Sequence, residues 1–221
     1  RMNIHLVPTT LLGKGSARTE KIFCKGEKEL YIKAMPSDFL DAEELSLHHI
    51  FDQIHLHLFD NDISQTSRHH RVASFSVEKL LVYEGFADDF GPLNLASVFK
   101  FCQILDDQIE QNPSRHIVMH NSASIKSTTN AVFLLGAYLI MQREYSVPKV
   151  VEACKKVIEL ITAYPDVSPG PQNFLLRVQD CWGGLWRAKS LQWVHFGPDG
   201  FDLKEYENYD SPLNADLHEI I

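Results

Sequence analysis

The sequence predicts an α/β domain, on three observations. A short apolar strand, His116-Ile117-Val118-Met119, leads through a polar loop, Asn121 to Ser127, into a run from Asn130 to Ile140 that is apolar nearly all round. An amphipathic helix pattern precedes that strand, with Leu95, Val98, Phe99, Cys102, Leu105 and Ile109 at three- and four-residue steps. Further helical patterns follow the buried run. Strand, helix, strand, loop and buried helix in this order suggest a sheet covered by helices. A turn leaving a strand for a helix N-terminus also suits an anion, because free amides point out of it.

The elements can be taken in chain order. Residues 1–29 form a polar extension broken by Gly13, Gly15 and Gly26. Gly13-Lys14-Gly15-Ser16 looks superficially like a phosphate loop but lacks the upstream glycine and the strand–loop–helix context. Leu30-Tyr31-Ile32 is a strand candidate. The stretch from Pro36 to Ser74 is mixed and holds most of the histidines. Phe75 to Tyr83 is a second strand candidate. Phe90-Gly91-Pro92 breaks the chain, and Asn94 is placed to cap the amphipathic helix, which stops near Asn112-Pro113. Val147-Pro148 opens another helix, with Val150, Val151, Cys154, Val157, Ile158 and Ile161 on one face. Pro165 to Pro171 is a break. Phe174, Val178, Cys181, Trp182 and Leu185 pattern a last helix, and the chain turns acidic and aromatic from Phe196.

Composition excludes several classes. Of 221 residues, 44% are hydrophobic and 23% charged, so a core is feasible without metals or cofactors. The formal charge of -8 argues against nucleic acid or an anionic membrane as partner, since both need a basic face, and leaves a basic protein segment open. The longest apolar run, Ala131 to Met141, is far short of the roughly 18 residues of a membrane span. Cys24, Cys102, Cys154 and Cys181 are widely spaced and form no C-x-x-C pair, which favours a reduced, cytosolic or nuclear setting. Arg1-Met2-Asn3 shows no signal-peptide pattern.

The loop after His116–Met119 invites comparison with the protein tyrosine and dual-specificity phosphatases. Their loop reads His-Cys-x5-Arg-Ser/Thr. Its amides lower the thiol pKa, the cysteine attacks phosphorus, and the arginine grips two phosphate oxygens. Here His120 is present, but Asn121 stands at the nucleophile position and Ser127 at the arginine position. An amide is no phospho-enzyme nucleophile, and a hydroxyl does not replace a guanidinium. Asp88 or Asp89 stands about where a general acid would sit. Lys126 and the loop amides leave weak anion binding open beside a purely structural turn.

The flanks carry a family resemblance. Leu81 to Ala96 (LVYEGFADDFGPLNLA) and Thr129 to Tyr138 (TNAVFLLGAY) resemble long blocks of the mitotic-exit (cell-division-cycle) dual-specificity protein phosphatases. Phe75-Ser76-Val77, Asp180-Cys181 and Phe201 to Tyr209 are similar in the same order. The resemblance implies a dual-specificity-phosphatase-like fold with a central, mainly parallel sheet flanked by helices and a degenerate phosphate loop. It implies the non-catalytic N-terminal domain of a two-domain enzyme, spanning 30–198, with 36–74 as an insertion longer than usual. Residues 199–221 would be an acidic linker toward the catalytic domain, which is the implied partner. It further implies an intracellular setting, in cytoplasm, nucleus or at the spindle and centrosome. The alternative is a free-standing pseudophosphatase that works as a protein-binding module.

Three features compete for attention. Cys181-Trp182-Gly183-Gly184-Leu185-Trp186-Arg187 also fits C-x5-R, but it sits in a helical pattern, no histidine precedes it, and Asp180 would raise the thiol pKa. His48, His49, His55, His57, His69 and His70 crowd one region. His55 and His57 could pair on a metal with Asp60 or Asp62, or be solvated loop residues. The tail sets seven acids from Asp199 to Glu219 against Lys204 alone, with Phe201, Tyr206 and Tyr209 between them. It is either a solvated linker or an acidic wall that attracts basic peptide residues. The resemblance implies the wall. It places Glu207, Asp210 and Asp216 against a lysine or arginine downstream of a phosphoserine- or phosphothreonine-proline site.

Overall fold

A computed structural model describes residues 20–23, 29–32, 47–59, 72–167 and 170–211. Strands β1 (Glu20–Phe23) and β2 (Glu29–Ile32) pair antiparallel. Four more strands form one sheet: β3 (Leu47–Phe51), β4 (Ile54–Phe59), β5 (Val72–Phe75) and β6 (His116–Ser122), in the order β3-β4-β6-β5. The β3–β4 pair is antiparallel, while β6 runs parallel to β4 on one side and β5 on the other. The mixed α/β class and the mainly parallel sheet are therefore present.

Within 36–74, expected as an insertion, the described residues supply β3, β4 and most of β5, so 47–59 is part of the sheet. The alternation Ile54-His55-Leu56-His57 hides this: Ile54 and Leu56 are fully buried while histidines hold the intervening places. The histidines of β4 are thus strand residues rather than loop residues.

The helices among the described residues are α1 (Leu95–Gln111), α2 (Ile125–Met141), α3 (Val147–Ala153), α4 (Lys155–Ile158), α5 (Val178–Ser190) and α6 (Leu203–Tyr209). Asn94 caps α1 by accepting from the Ser97 N–H at 2.9 Å, as its position predicts. α2 is the buried central helix, touching β6, α1, α3 and α5. It starts five residues earlier than its apolar run suggests, because Ser124 caps it. The single helix expected over 147–161 breaks at Cys154, where the backbone leaves helical geometry. The strand expected from Phe75 to Tyr83 ends at Phe75. Val77 and Leu81, four apart and buried, fold instead as a turn in which the Leu80 and Leu81 amides both donate to the Val77 carbonyl.

The core centres on the α2–α5 crossing. Trp182 of α5 is fully buried against Gly136 of α2, and its indole N–H donates to the Phe133 carbonyl at 3.0 Å. A Cβ on Gly136 would lie 2.2 Å from the Trp182 ring, so only glycine lets the indole seat here. Lys189, further along α5, donates to the Ile140 and Met141 carbonyls and closes the C-terminus of α2. Phe201 and α6, within the 199–221 stretch expected as a linker, pack on α1. The rings of Phe196, Phe201 and Phe99 cluster in edge-on and tilted contacts, and Phe201 meets Tyr206 at a tilt.

Candidate functional site

The site lies at the carboxyl edge of β5 and β6, where a turn carries β6 into α2. Its local cause is a rule of short polar residues. Ser122, Ala123 and Ser124 have little bulk, the Ser124 N–H reaches the Ser122 hydroxyl at 3.3 Å, and Ser124 then caps the helix. The expected loop over 121–127 is shorter than that. Asn121 and Ser122 still belong to the strand, and Ser127 already lies in the first turn of the helix. Asn121 pairs with Leu58 of β4 in register.

Asn121 is 2% exposed. Its side-chain amide donates to the Ser122 carbonyl at 2.9 Å and to the Ser127 hydroxyl at 3.1 Å. The two expected loop positions are thus joined directly. Ser127 passes the chain on, donating its own O–H to Glu78 Oε1. The Ser122 N–H donates to that same carboxylate oxygen at 3.1 Å. Glu78 comes from the turn after β5 and went unnoticed in the sequence. No local signal marks it, since its partners lie 44 and 49 residues away. A carboxylate near the start of a helix is worth about 0.3–1 kcal/mol from the helix dipole alone.

A cleft of about 260 Å³ opens beside this network. Glu78, Tyr83, Asp89, Lys126, Asn130 and Phe90 are among its walls. Asp89 Oδ2 accepts from the Tyr83 hydroxyl at 2.5 Å, and Oδ1 accepts from the Ala87 N–H at 2.7 Å. The tyrosine bond first, and the amide next, pull the Asp89 carboxyl down to about 2. The same bond, with burial behind it, pushes the Tyr83 phenol up to about 12. At neutral pH the Asp89 carboxyl is therefore ionised. Lys126 turns to the Asp88 carbonyl at 3.3 Å and lies 5.6 Å over the Phe90 ring.

The other sequence candidates fall elsewhere. Cys181 sits inside α5, with Arg187 about 1.7 turns further along the same helix, so the two do not form a loop that wraps a phosphate. Burial and then Asp180 push its thiol up to about 11, the wrong direction for a nucleophile. His49, His55 and His116 form a ladder of edge-on rings at 5.1 Å spacing across three strands, and His57 Nδ1 lies 3.1 Å from His120 Nδ1. Among the described residues no three His, Cys, Asp or Glu side chains are arranged to hold a metal. His69, His70, Asp60, Asp62 and Gly13 to Ser16 lie outside the described residues.

Of the acidic tail, α6 presents Glu207, and Asp210 closes its C-terminus. Glu207 pairs with Lys100 of α1 at 2.5 Å, and Asp210 accepts from Asn94 at 2.8 Å. Asp216 lies outside the described residues. No described helix is long and apolar enough to cross a membrane.

A mainly parallel sheet with a strand-to-helix turn at its carboxyl edge defines an α/β domain. Comparison with known proteins gives the family. The model described as "Dual specificity protein phosphatase, N-terminal half" matches residues 48–188, and the chain belongs to that family. The match begins one residue into β3, which agrees with 47–59 being core. Relatives include the dual specificity protein phosphatase CDC14A of Mus musculus, 34% identical over 66% of this chain and 24% of its own length. The CDC14C phosphatase of Symphalangus syndactylus is 32% identical over 66% of this chain and 30% of its own length. The tyrosine-protein phosphatase CDC14 of Candida albicans is 27% identical over 76% and 31%. The chain thus spans about a third or less of the relatives it matches.

Proposed function

We propose that this chain is a non-catalytic domain of a dual-specificity phosphatase, which scaffolds a catalytic half and helps select its substrates. The observation that carries the reading is Asn121. It occupies the strand end where the chemistry needs a thiolate, and its donors are spent on Ser122 and Ser127. Ser127 stands where phosphate needs a guanidinium, and Asp89, one of the two aspartates about where a proton donor would sit, is held ionised. The turn is in this reading a degenerate phosphate loop.

The scaffolding part is supported by surface. Phe174, Leu175, Trp186, Leu191 and Trp193 are exposed apolar side chains around α5, a face that suits burial against the catalytic half. The selecting part draws on α6 and the residue after it. Glu207 and Asp210 are fixed against α1, and with Asp216 they would form an acidic wall for lysine or arginine downstream of a phosphorylated Ser/Thr-Pro site. Charge complementarity of this kind sets specificity more than raw affinity. The buried free thiols Cys102 and Cys154 fit an intracellular setting.

Hydrolysis of an aryl phosphate by this chain alone tests the first part. No turnover is expected, and phosphate release abolished by Cys181→Ser would overturn it. For the second part, the domain is joined to a catalytic half. Glu207→Lys, Asp210→Lys and Asp216→Lys together should raise KM for peptides with a downstream lysine. An unchanged KM removes the tail from selection.

A further inference from the structure

We propose that Glu78 is a built-in anion that closes the β6–α2 turn, so that the turn takes a tetrahedral oxyanion only when this carboxylate is removed. The inference rests on reading Asn121 to Ser127 as the place where a phosphatase holds phosphate. Three features carry it.

The first is occupancy. One oxygen of Glu78 takes both the Ser122 N–H and the Ser127 O–H. These are the donors that a phosphate oxygen would claim at a strand-to-helix turn. The second is direction. Asn121 donates to the Ser127 hydroxyl, using the oxygen's lone pair, so the hydroxyl proton is left to point at Glu78. The chain from Asn121 through Ser127 to Glu78 therefore runs one way and ends on a negative group. The third is placement. Glu78 sits on a turn held by Val77 and Leu81, both buried, with its own N–H within 3.4 Å of the Ser76 hydroxyl. The carboxylate is delivered from the turn that follows the neighbouring parallel strand β5.

Charge in the cleft works the same way. Glu78 and Asp89 set two carboxylates against Lys126, whose ammonium is drawn to the Asp88 carbonyl and the Phe90 ring. An incoming phosphate dianion would meet like charge with its donors already taken. A phosphopeptide handled by this domain would then be read through its basic residues and not through its phosphate.

The test is amide-resolved NMR titration of the full chain with inorganic phosphate and, separately, tungstate. Glu78→Ala and Glu78→Gln are compared with the unsubstituted chain. The alanine empties the position; the glutamine keeps its shape and removes the charge. The expected result is binding at least about tenfold tighter in Glu78→Ala, with shifts at the Ser122, Ser124 and Ser127 amides. The Ser122 amide proton should also move upfield in Glu78→Gln without any ligand, because it loses an ionised acceptor. This second reading needs no bound anion and survives failure of the alanine variant to fold. Equal affinity in all three proteins, shifts confined to other residues, or an unmoved Ser122 proton in Glu78→Gln would overturn the proposal. Turnover of aryl phosphate by the unsubstituted chain would strike the functional reading instead, so the two failures are distinct.

Discussion

Gly136→Ala pits two physical effects of opposite sign against each other. Gly136 lies inside α2, where alanine is the better helix former by about 1 kcal/mol. On propensity alone the variant should be more stable. Packing says otherwise. The new methyl would stand 2.2 Å from Trp182 Cε2 and Cζ2 and 2.4 Å from Nε1. Carbon contacts relax near 3.5–4.0 Å, so the indole must retreat by about 1.5 Å. Overpacking of a filled core costs about 1–3 kcal/mol. The retreat also strains the bond from the indole N–H to the Phe133 carbonyl, and stranding a buried donor costs about 1–3 kcal/mol more. Setting the helix gain against both, the net loss is about 3 kcal/mol. For a chain of this size that lowers Tm by about 6–12 °C. Thermal unfolding followed by far-UV circular dichroism, with tryptophan emission reporting on Trp182, checks it. Trp182→Leu removes the obstructing atoms, so the double variant should lose less than the sum of the single losses. A Tm that rises, or strictly additive losses, would refute the reasoning.

Two further outcomes are expected. Tyr83→Phe removes the main cause of the low Asp89 pKa, so its carboxyl should titrate closer to 3.8 than to about 2 in a carbon-13 pH titration. Because that pKa is depressed in the folded state, the bond's contribution is present above about pH 4 and is lost as pH falls toward 2; an unmoved midpoint would assign the shift to the Ala87 amide instead. Gln108, 1% exposed on the inner face of α1, has no partner for its side-chain oxygen or nitrogen among the described residues, so Gln108→Leu should raise stability by about 1–3 kcal/mol in urea unfolding, and a loss would mean the amide is satisfied after all.

What the sequence made legible follows the range of the interactions. The α1 pattern was readable because its buried Val98, Cys102 and Leu105 repeat locally. Phe99 and Ile109 fit that pattern yet lie at its flank, and Phe99 turns to Phe196 and Phe201 of the tail. No local period could announce that partner. The strand β4 was hidden although β3 pairs with it locally, because histidines interrupt its apolar alternation and its parallel partners Ile117 to Ser122 lie some sixty residues on, where tertiary packing decides the pairing. At the site, Asn121 and Ser127 were identifiable as residues out of place, since chemistry fixes what a phosphate loop must contain. Their connection through Glu78 was not identifiable, because it depends on two parallel strands ending side by side. The tail's acids were visible, but their anchoring by Lys100 and Asn94 was not.

The Asn121 network has a consequence for how this domain can change over generations. Restoring a cysteine there would remove two hydrogen bonds, each worth about 1 kcal/mol. The Ser127 hydroxyl would lose its donor at the same step, and the new thiol would face the neighbouring Glu78 without a guanidinium. Introducing a nucleophile at this position therefore lowers stability before any turnover is gained. On the proposed reading, a working nucleophile here would need changes at Asn121, Ser127 and Glu78 together, because the three are joined in one hydrogen-bonded chain.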